Sequence, residues 1–219
     1  MSAASEYPTY FLEQAIRTYI VGKVVLDIGS VNHSFGNFIT RNWIFDFILK
    51  EAAFVQGINI EAAEVEKAQA AGYNILCADA ETYRADRKFD AVLAGDLIEH
   101  LSNPGLFLQC SKANLLPGGK LILTTPNTFS LERLYLSFLR LTNDPQTHRL
   151  HVCYHTPSTL IALAKRAGFR HVATEYVNLN LGGQSRFIRL LLKLNGAITA
   201  VLPKFKITMI MVFEAPDLQ

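Results

Sequence analysis

Five short apolar runs, each closing on polar residues, constrain this chain more than any other feature. They are Lys23 to Ile28, Phe54 to Asn59, Asn74 to Ala78, Phe89 to Ala94 and Lys120 to Thr125. None alternates apolar with polar residues, so each expects burial on both faces, which is the signature of a mostly parallel sheet. Helical patterns separate them: Tyr10 to Ile20, Asn42 to Ala53, Glu61 to Ala71 and Pro104 to about Leu115. Gly72 is placed to close the third helix, and Ser102 or Asn103 followed by Pro104 is placed to open the fourth. Leu115 to Gly119 reads as a turn. Thr156-Pro157 repeats the cap-plus-proline signal, Gly168 ends that helix, and His171 to Leu179 and Lys206 to Glu214 read as two closing strands. The class is α/β, as one domain spanning 1–219.

Two stretches interrupt the alternation. Leu131 to Leu141 is amphipathic, and so is Arg186 to Leu202, with Leu190, Leu191, Leu194, Ile198 and Val201 on one stripe and Arg186, Arg189 and Lys193 on or beside the other side. They place helical inserts near 128–150 and 184–204, packed on the sheet or forming a cap over a substrate site that touches a lipid surface.

Composition removes several classes of function. The chain has 219 residues, half of them hydrophobic and 18% charged, which is too apolar for disorder. Twenty-one basic against nineteen acidic residues leave +2, so no charge excess argues for nucleic acid as the partner. Cys77, Cys110 and Cys153 are far apart and odd in number, which fits a reducing compartment better than a disulfide framework. Met1 to Tyr10 lacks a basic n-region and an apolar h-region, and no long uncharged apolar run follows, so the expected location is the cytoplasm. Nothing in the sequence sets an oligomeric state.

Ligands of an open parallel sheet bind beyond the carboxyl ends of its strands. Those ends here are Asp27-Ile28-Gly29-Ser30, Gly57-Ile58-Asn59, Cys77-Ala78-Asp79-Ala80, Gly95-Asp96-Leu97-Ile98-Glu99-His100 and Thr124-Thr125-Pro126-Asn127. Val-Val-Leu-Asp-Ile-Gly at 24–29, Phe-Asp-Ala-Val-Leu-Ala-Gly-Asp-Leu-Ile-Glu-His-Leu at 89–101 and Leu-Leu-Pro-Gly-Gly-Lys-Leu-Ile-Leu-Thr-Thr-Pro-Asn at 115–127 follow in order. Together with His-Thr-Pro-Ser-Thr-Leu through Ala-Gly-Phe at 155–169, they make the chain resemble a class I S-adenosylmethionine-dependent methyltransferase. The resemblance implies a Rossmann-like fold with a mostly parallel seven-stranded sheet and an antiparallel final strand.

It also implies S-adenosylmethionine as cofactor, and roles for particular residues. Gly29 and Ser30 would let the backbone approach the methionine part, with Asp27 beneath the loop. Asn59, with Ile60 beside it, stands where the family usually carries an acidic residue on the ribose hydroxyls. Asp79 and Ala80 would meet the adenine, and Asp96 and Leu97 would flank the reacting sulfonium. Two departures stand out: one glycine where the family's loop has several, and Asn59 in place of a carboxylate, with Glu61 two residues on as a compensating group.

A hydroxyl acceptor needs a base, and His148, His151 and His155 cluster in sequence beside Arg149. The bland alternative is that such histidines only bond the backbone. The pattern Asp96, Glu99, His100 resembles the metal-binding segment of some ubiquinone-pathway O-methyltransferases and of small-RNA 2′-O-methyltransferases, and so raises a divalent ion as a second cofactor. The leading expectation is O-methylation of a small-molecule, sugar or lipid-linked acceptor. The alternatives are a catalytically silent methyltransferase-like binding protein and a metal-assisted enzyme acting on a quinone precursor or an RNA hydroxyl. Nicotinamide binding is disfavoured, since neither Gly-x-Gly-x-x-Gly nor an acid ending the second strand is present.

Overall fold

The computed structural model describes residues 10–31, 43–131, 133–134, 138, 150–178 and 196–216. Strands β1 (Val24–Ile28), β2 (Phe54–Asn59), β3 (Ile75–Cys77), β4 (Phe89–Gly95), β5 (Leu115–Pro126), β6 (Arg170–Val177) and β7 (Thr208–Glu214) form one sheet. Its order is β3-β2-β1-β4-β5-β7-β6. Pairing is parallel from β3 through β5, and β7 runs antiparallel to both β5 and β6. Helices α1 (Tyr10–Ile20), α2 (Ile44–Glu51), α3 (Ala62–Ala70), α4 (Pro104–Asn114) and α5 (Pro157–Arg166) pack around it.

Successive strand residues serve opposite faces, because side chains alternate across a strand. Val25, Ala91, Leu93, Ile210 and Val212 pack with Ile16 and Ile20 of α1, Phe45 and Ile48 of α2 and Val65 of α3. Leu26, Val92, Ala94, Met211 and Phe213 pack on the other side with Phe107 and Leu108 of α4 and Leu160 and Ala164 of α5. Both faces are therefore covered, which is why the strands read as unbroken apolar runs.

Local chemistry fixes the helix ends that matter for the site. Thr156 and Thr159 cap α5 reciprocally: the Thr156 hydroxyl accepts from Thr159 N–H at 3.2 Å, and the Thr159 hydroxyl accepts from Thr156 N–H at 2.9 Å. Pro157 follows at the first helical turn.

The Leu115–Gly119 turn differs from expectation. Leu115 pairs with Phe89, the register then shifts, and Gly118 N–H donates to Ala215 at 2.7 Å while Gly119 accepts from Ala215 N–H at 2.9 Å. The segment is thus extended and paired from Leu115 onward. Two short 3-10 turns, Ile98–His100 and Pro203–Phe205, had no signal in the pattern. The expected inserts fall mostly outside the described residues. Within them, residues 131, 133–134, 138 and 196–201 are helical. No helix among the described residues is long and apolar enough to cross a membrane.

The chain reverses its direction of growth between β1 and β4, so their carboxyl ends lie side by side. Behind β1, packing is tight at Gly57. A Cβ there would sit 2.5 Å from Ser30 Oγ, 2.8 Å from Ile75 Cγ1 and 2.9 Å from Phe45 Cε2. Gly57→Ala is expected to destabilise the fold by about 1–3 kcal/mol through overpacking. A thermal melt checks this, and an unchanged midpoint would contradict the packing.

Candidate functional site

The site is built on the loop that leaves β1. Gly29 takes φ +83°, which an L side chain resists, and an added Cβ would press on Leu97 at 3.4 Å. Gly29 and Ser30 both donate their N–H groups to Ile58 O, at 2.9 and 3.2 Å. The Ser30 hydroxyl turns inward to Asp27 O at 2.9 Å, and Trp43 donates its indole N–H to Ser30 O at 2.7 Å. Trp43 is itself held by Phe45, stacked at 5.1 Å, and by Tyr73, edge-on at 4.8 Å. Asn59 donates its amide to Val31 O and accepts Glu61 N–H at 2.9 Å, so it staples the loop after β1 to the start of α3. Two sequence-level candidates, Ser30 and Asn59, therefore commit their polar groups to holding the loop. Asp27 is buried, its Oδ2 has no hydrogen-bond partner, and burial pushes its pKa up to about 7.

Two neighbouring cavities open at this edge. A narrow one of about 80 Å³ is lined by Gly29, Ile58, Ile60, Asp79, Ala80 and Leu101, among others. Beside it a wider one of about 460 Å³ is lined by Val31, Glu61, Asp96, His100, Leu150 and Val152, among others. Gly29, Asn59, Ile60 and Leu97 border both. Asp79 accepts Glu81 N–H on Oδ1 at 2.8 Å, which leaves Oδ2 with no donor among the described residues.

At the end of β4 the backbone is strained: Asp96 adopts φ +44°, the one described non-glycine residue with positive φ. Its N–H donates to Thr124 O, and its Oδ1 accepts from the Thr124 hydroxyl at 3.1 Å. Asp96 is solvent-exposed at the cleft, with protein packed around it. That surrounding protein pushes its pKa up, against the opposing pull of Thr124 and His100.

Glu99 lies one turn on and is fully buried. Its Oε2 accepts from the Thr125 hydroxyl at 2.9 Å, and its Oε1 makes no hydrogen bond. His151 Nε2 is 4.0 Å from that oxygen. Burial first, and then the charge of Asp96, push Glu99 up to about 8. His100 packs edge-on against His151 at 4.6 Å and meets Leu150 O through Nδ1 at 3.1 Å. The donor atoms of Glu99, His100 and His151 all lie within 4.8 Å of one another.

The structure thus groups Glu99 and His100 with His151, whereas the sequence pattern grouped them with Asp96. Asp96 is turned to Thr124 by its left-handed backbone. His155 lines neither cavity; its Nε2 is 3.2 Å from Cys153 Sγ, its carbonyl accepts from the Thr128 hydroxyl, and burial lowers its pKa. His148 lies outside the described residues. The His151–Glu99 pairing escaped the sequence because Val152 and Cys153 N–H groups anchor on Glu99 O across 53 and 54 positions, a long-range contact with no spacing signal.

The family described as "Methyltransferase domain" matches residues 6–174. Ubiquinone biosynthesis O-methyltransferase of Rattus norvegicus is 40% identical over 57 residues, which are 26% of this chain and 16% of that protein. The enzyme of the same name from Coxiella burnetii is 28% identical over 124 residues, 53% of this chain and 48% of that one. The matches therefore span less than half the length of these relatives. A SAM-dependent methyltransferase from Archaeoglobus fulgidus superposes with a TM-score of 0.61 at 18% identity, covering 93% of each chain. The N-methyltransferase NodS from Bradyrhizobium japonicum WM9, in complex with S-adenosyl-L-homocysteine, superposes at 0.57 with 14% identity, over 95% of this chain and 85% of that one. At such identities the superpositions speak to fold, and the family match over residues 6–174 carries the family. The chain belongs to the class I S-adenosylmethionine-dependent methyltransferases.

Proposed function

We propose that the chain methylates a hydroxyl oxygen, aided by a divalent ion held by Glu99, His100 and His151. The observation that carries this reading is the fully buried Glu99 with an unbonded Oε1, facing His151 and beside His100, where His100 lines the wider cavity. A carboxylate left half-satisfied at full burial is costly unless a positive charge joins it. One oxygen and two imidazole donors suit manganese, iron or zinc better than magnesium. When bound, such an ion lowers the pKa of a hydroxyl near it. The acceptor class we infer is a small-molecule, glycan or lipid-linked hydroxyl, and the partial likeness to ubiquinone biosynthesis O-methyltransferases favours an aromatic one.

The remaining roles belong to this chain's own residues. The cofactor's adenosine is assigned to the narrower cavity, with Asp79 Oδ2 accepting from the adenine amino group beside Ala80 and Ile60. Its methionine end is assigned to Gly29, Asp96 and Leu97, above Asp27. Ser30 and Asn59 act as positioning residues, and Glu61 is the acid left facing the ribose. Methyl transfer asks mainly for alignment, since the sulfonium is already activated. With His100 and His151 engaged by the ion, neither takes the acceptor's proton, which would pass to solvent from a hydroxyl whose pKa the ion lowers. Helical residues 131, 133–134, 138 and 196–201 are assigned to the acceptor cap. All three cysteines are free thiols, in keeping with a cytoplasmic setting.

Titration calorimetry with S-adenosylhomocysteine tests the cofactor assignments. Asp79→Ala is expected to weaken binding about tenfold, by loss of a hydrogen bond to a charged acceptor. Gly29→Val is expected to abolish it. Asn59→Asp restores the family's usual carboxylate, yet it is expected to weaken binding several-fold, because an ionised Asp cannot donate to Val31 O. Tighter binding by Asn59→Asp would overturn the stapling role.

Thermal melts against pH test the metal reading. Glu99 goes from an ordinary 4.5 when unfolded to about 8 when folded, and Asp27 from 3.8 to about 7. In both cases the folded state holds the extra proton. This stability is full below the unfolded values and is lost as pH rises toward 8. Manganese or zinc is expected to restore the midpoint at the alkaline end. Glu99→Gln should flatten about half of the slope, leave Asp27's comparable share, and remove the metal response while S-adenosylhomocysteine still binds. A wild-type midpoint indifferent to every divalent ion would sink the metal reading. Methyl transfer from S-adenosylmethionine to a catechol, abolished by Glu99→Gln, would support the oxygen acceptor.

A further inference from the structure

The carboxyl edge of the sheet carries more exposed apolar surface than its packing explains. Phe129, Leu134 and Phe138 follow β5, and Phe138 is 82% exposed. Leu134 and Phe138 are four residues apart in sequence, a helical spacing, and each is helical. In the other helical segment and at its end, Ile198, Val201 and Leu202 are spaced three and four apart, and Val201 is 80% exposed. Asn127 joins the two groups. Its amide donates to Lys204 O at 2.8 Å and Lys206 O at 2.7 Å, and its Oδ1 accepts Phe129 N–H at 3.0 Å. Asn127 therefore ties the start of one apolar stretch to the chain just after the other. Thr128 ties the first stretch in turn to His155, whose segment continues from Leu150 and Val152 at the cavity.

Charge indicates what covers this surface. From Tyr176 to Phe213 the chain carries Arg186, Arg189, Lys193, Lys204 and Lys206 and not one Asp or Glu. In a chain of net charge +2, that concentration is strongly local. Aliphatic and aromatic side chains standing beside lysines, with Glu132 the one acid between Phe129 and Phe138 and none from 176 to 213, match the interface of an anionic bilayer: apolar groups enter the acyl boundary while lysine stems reach the headgroups. A second copy of the chain would set this positive segment against itself. A nucleic acid matches the charge but offers nothing to Val201, Leu202 and Ile198.

We propose that this edge docks on anionic membrane lipid through Phe129, Phe138, Val201 and Leu202, with Lys204 and Lys206 at the headgroups. The proposal stands apart from the choice of acceptor, and places the cavity mouth beside the bilayer surface. Vesicle flotation tests it, using phosphatidylcholine alone or with phosphatidylglycerol. Wild-type protein is expected to float with the anionic vesicles, to stay behind with the neutral ones, and to be released by salt. Val201→Asp with Phe138→Asp should abolish flotation, with melting midpoint and S-adenosylhomocysteine affinity unchanged. Lys204→Glu with Lys206→Glu, which leaves the apolar stripe intact, should weaken it at least about tenfold. Failure to float with anionic vesicles overturns the proposal, as does flotation that ignores both variants. A dimer in sedimentation that Val201→Asp dissolves, without vesicle binding, reassigns the surface to a second copy.

Discussion

A carboxyl group taken entirely out of water organises the acceptor side of this fold. Glu99 gives its backbone carbonyl to the N–H groups of Val152 and Cys153, and one carboxyl oxygen to the Thr125 hydroxyl. Through these contacts it joins the ends of β4 and β5 to the segment that leads into α5. Its second oxygen is left unbonded toward His151. Burying a lone carboxylate is costly enough that the group keeps its proton instead, which is what a pKa near 8 expresses. A site in this condition favours whatever brings positive charge, whether a protonated histidine or a metal ion. Structural convenience does not explain a glutamate here, since glutamine would fill the same volume without the penalty.

The cofactor side solves a different problem by different means. A loop with one glycine cannot rely on an absence of side chains to lie close to a ligand, so its path is fixed by tethers. Ile58 O takes two N–H groups, Trp43 takes the Ser30 carbonyl, and Asn59 takes the Val31 carbonyl. Each is worth only about 0.5–1.5 kcal/mol net, yet together they order the loop before any ligand arrives, and that ordering is not charged against binding. Asn59 suits this work because an amide donates and accepts at once, whereas a carboxylate only accepts. The missing acid at the end of β2 is then a consequence of how the loop is held.

Most of the fold was legible because its signals are local. Continuous apolar runs gave β1, β2 and β4 within a residue or so, and Thr156-Pro157 marked the start of α5. Leu115 to Gly119 misled because Pro-Gly-Gly is turn chemistry, while the pairing that holds it extended comes from Phe89 and Ala215, remote in sequence. The site was legible where one strand end supplies one residue, as with Gly29, Asp79 and Asp96. It was illegible where side chains from distant segments meet. Nothing in the spacing of His148, His151 and His155 told which would face Glu99, and nothing around Ser30 told that its hydroxyl turns inward under Gly57.

The boundary of the family match sharpens the division between the two sides. Residues 6–174 match, and the acid-free basic stretch begins at Tyr176. A cofactor of fixed chemistry constrains the strand ends that surround it, and the family match covers β1 to β5. No such constraint acts on residues 176–213, which supply β7 and the helical turn before it. β7 still obeys the sheet, with Met209, Met211 and Phe213 to one face and Ile210 and Val212 to the other. Ile198, Val201 and Leu202 obey nothing in the fold, since they remain exposed. Apolar side chains exposed among the described residues, set within a stretch that excludes every acid, are what the proposed bilayer contact would cover. The same residues that free this segment from the cofactor's demands leave it available to fit whatever surface delivers the acceptor.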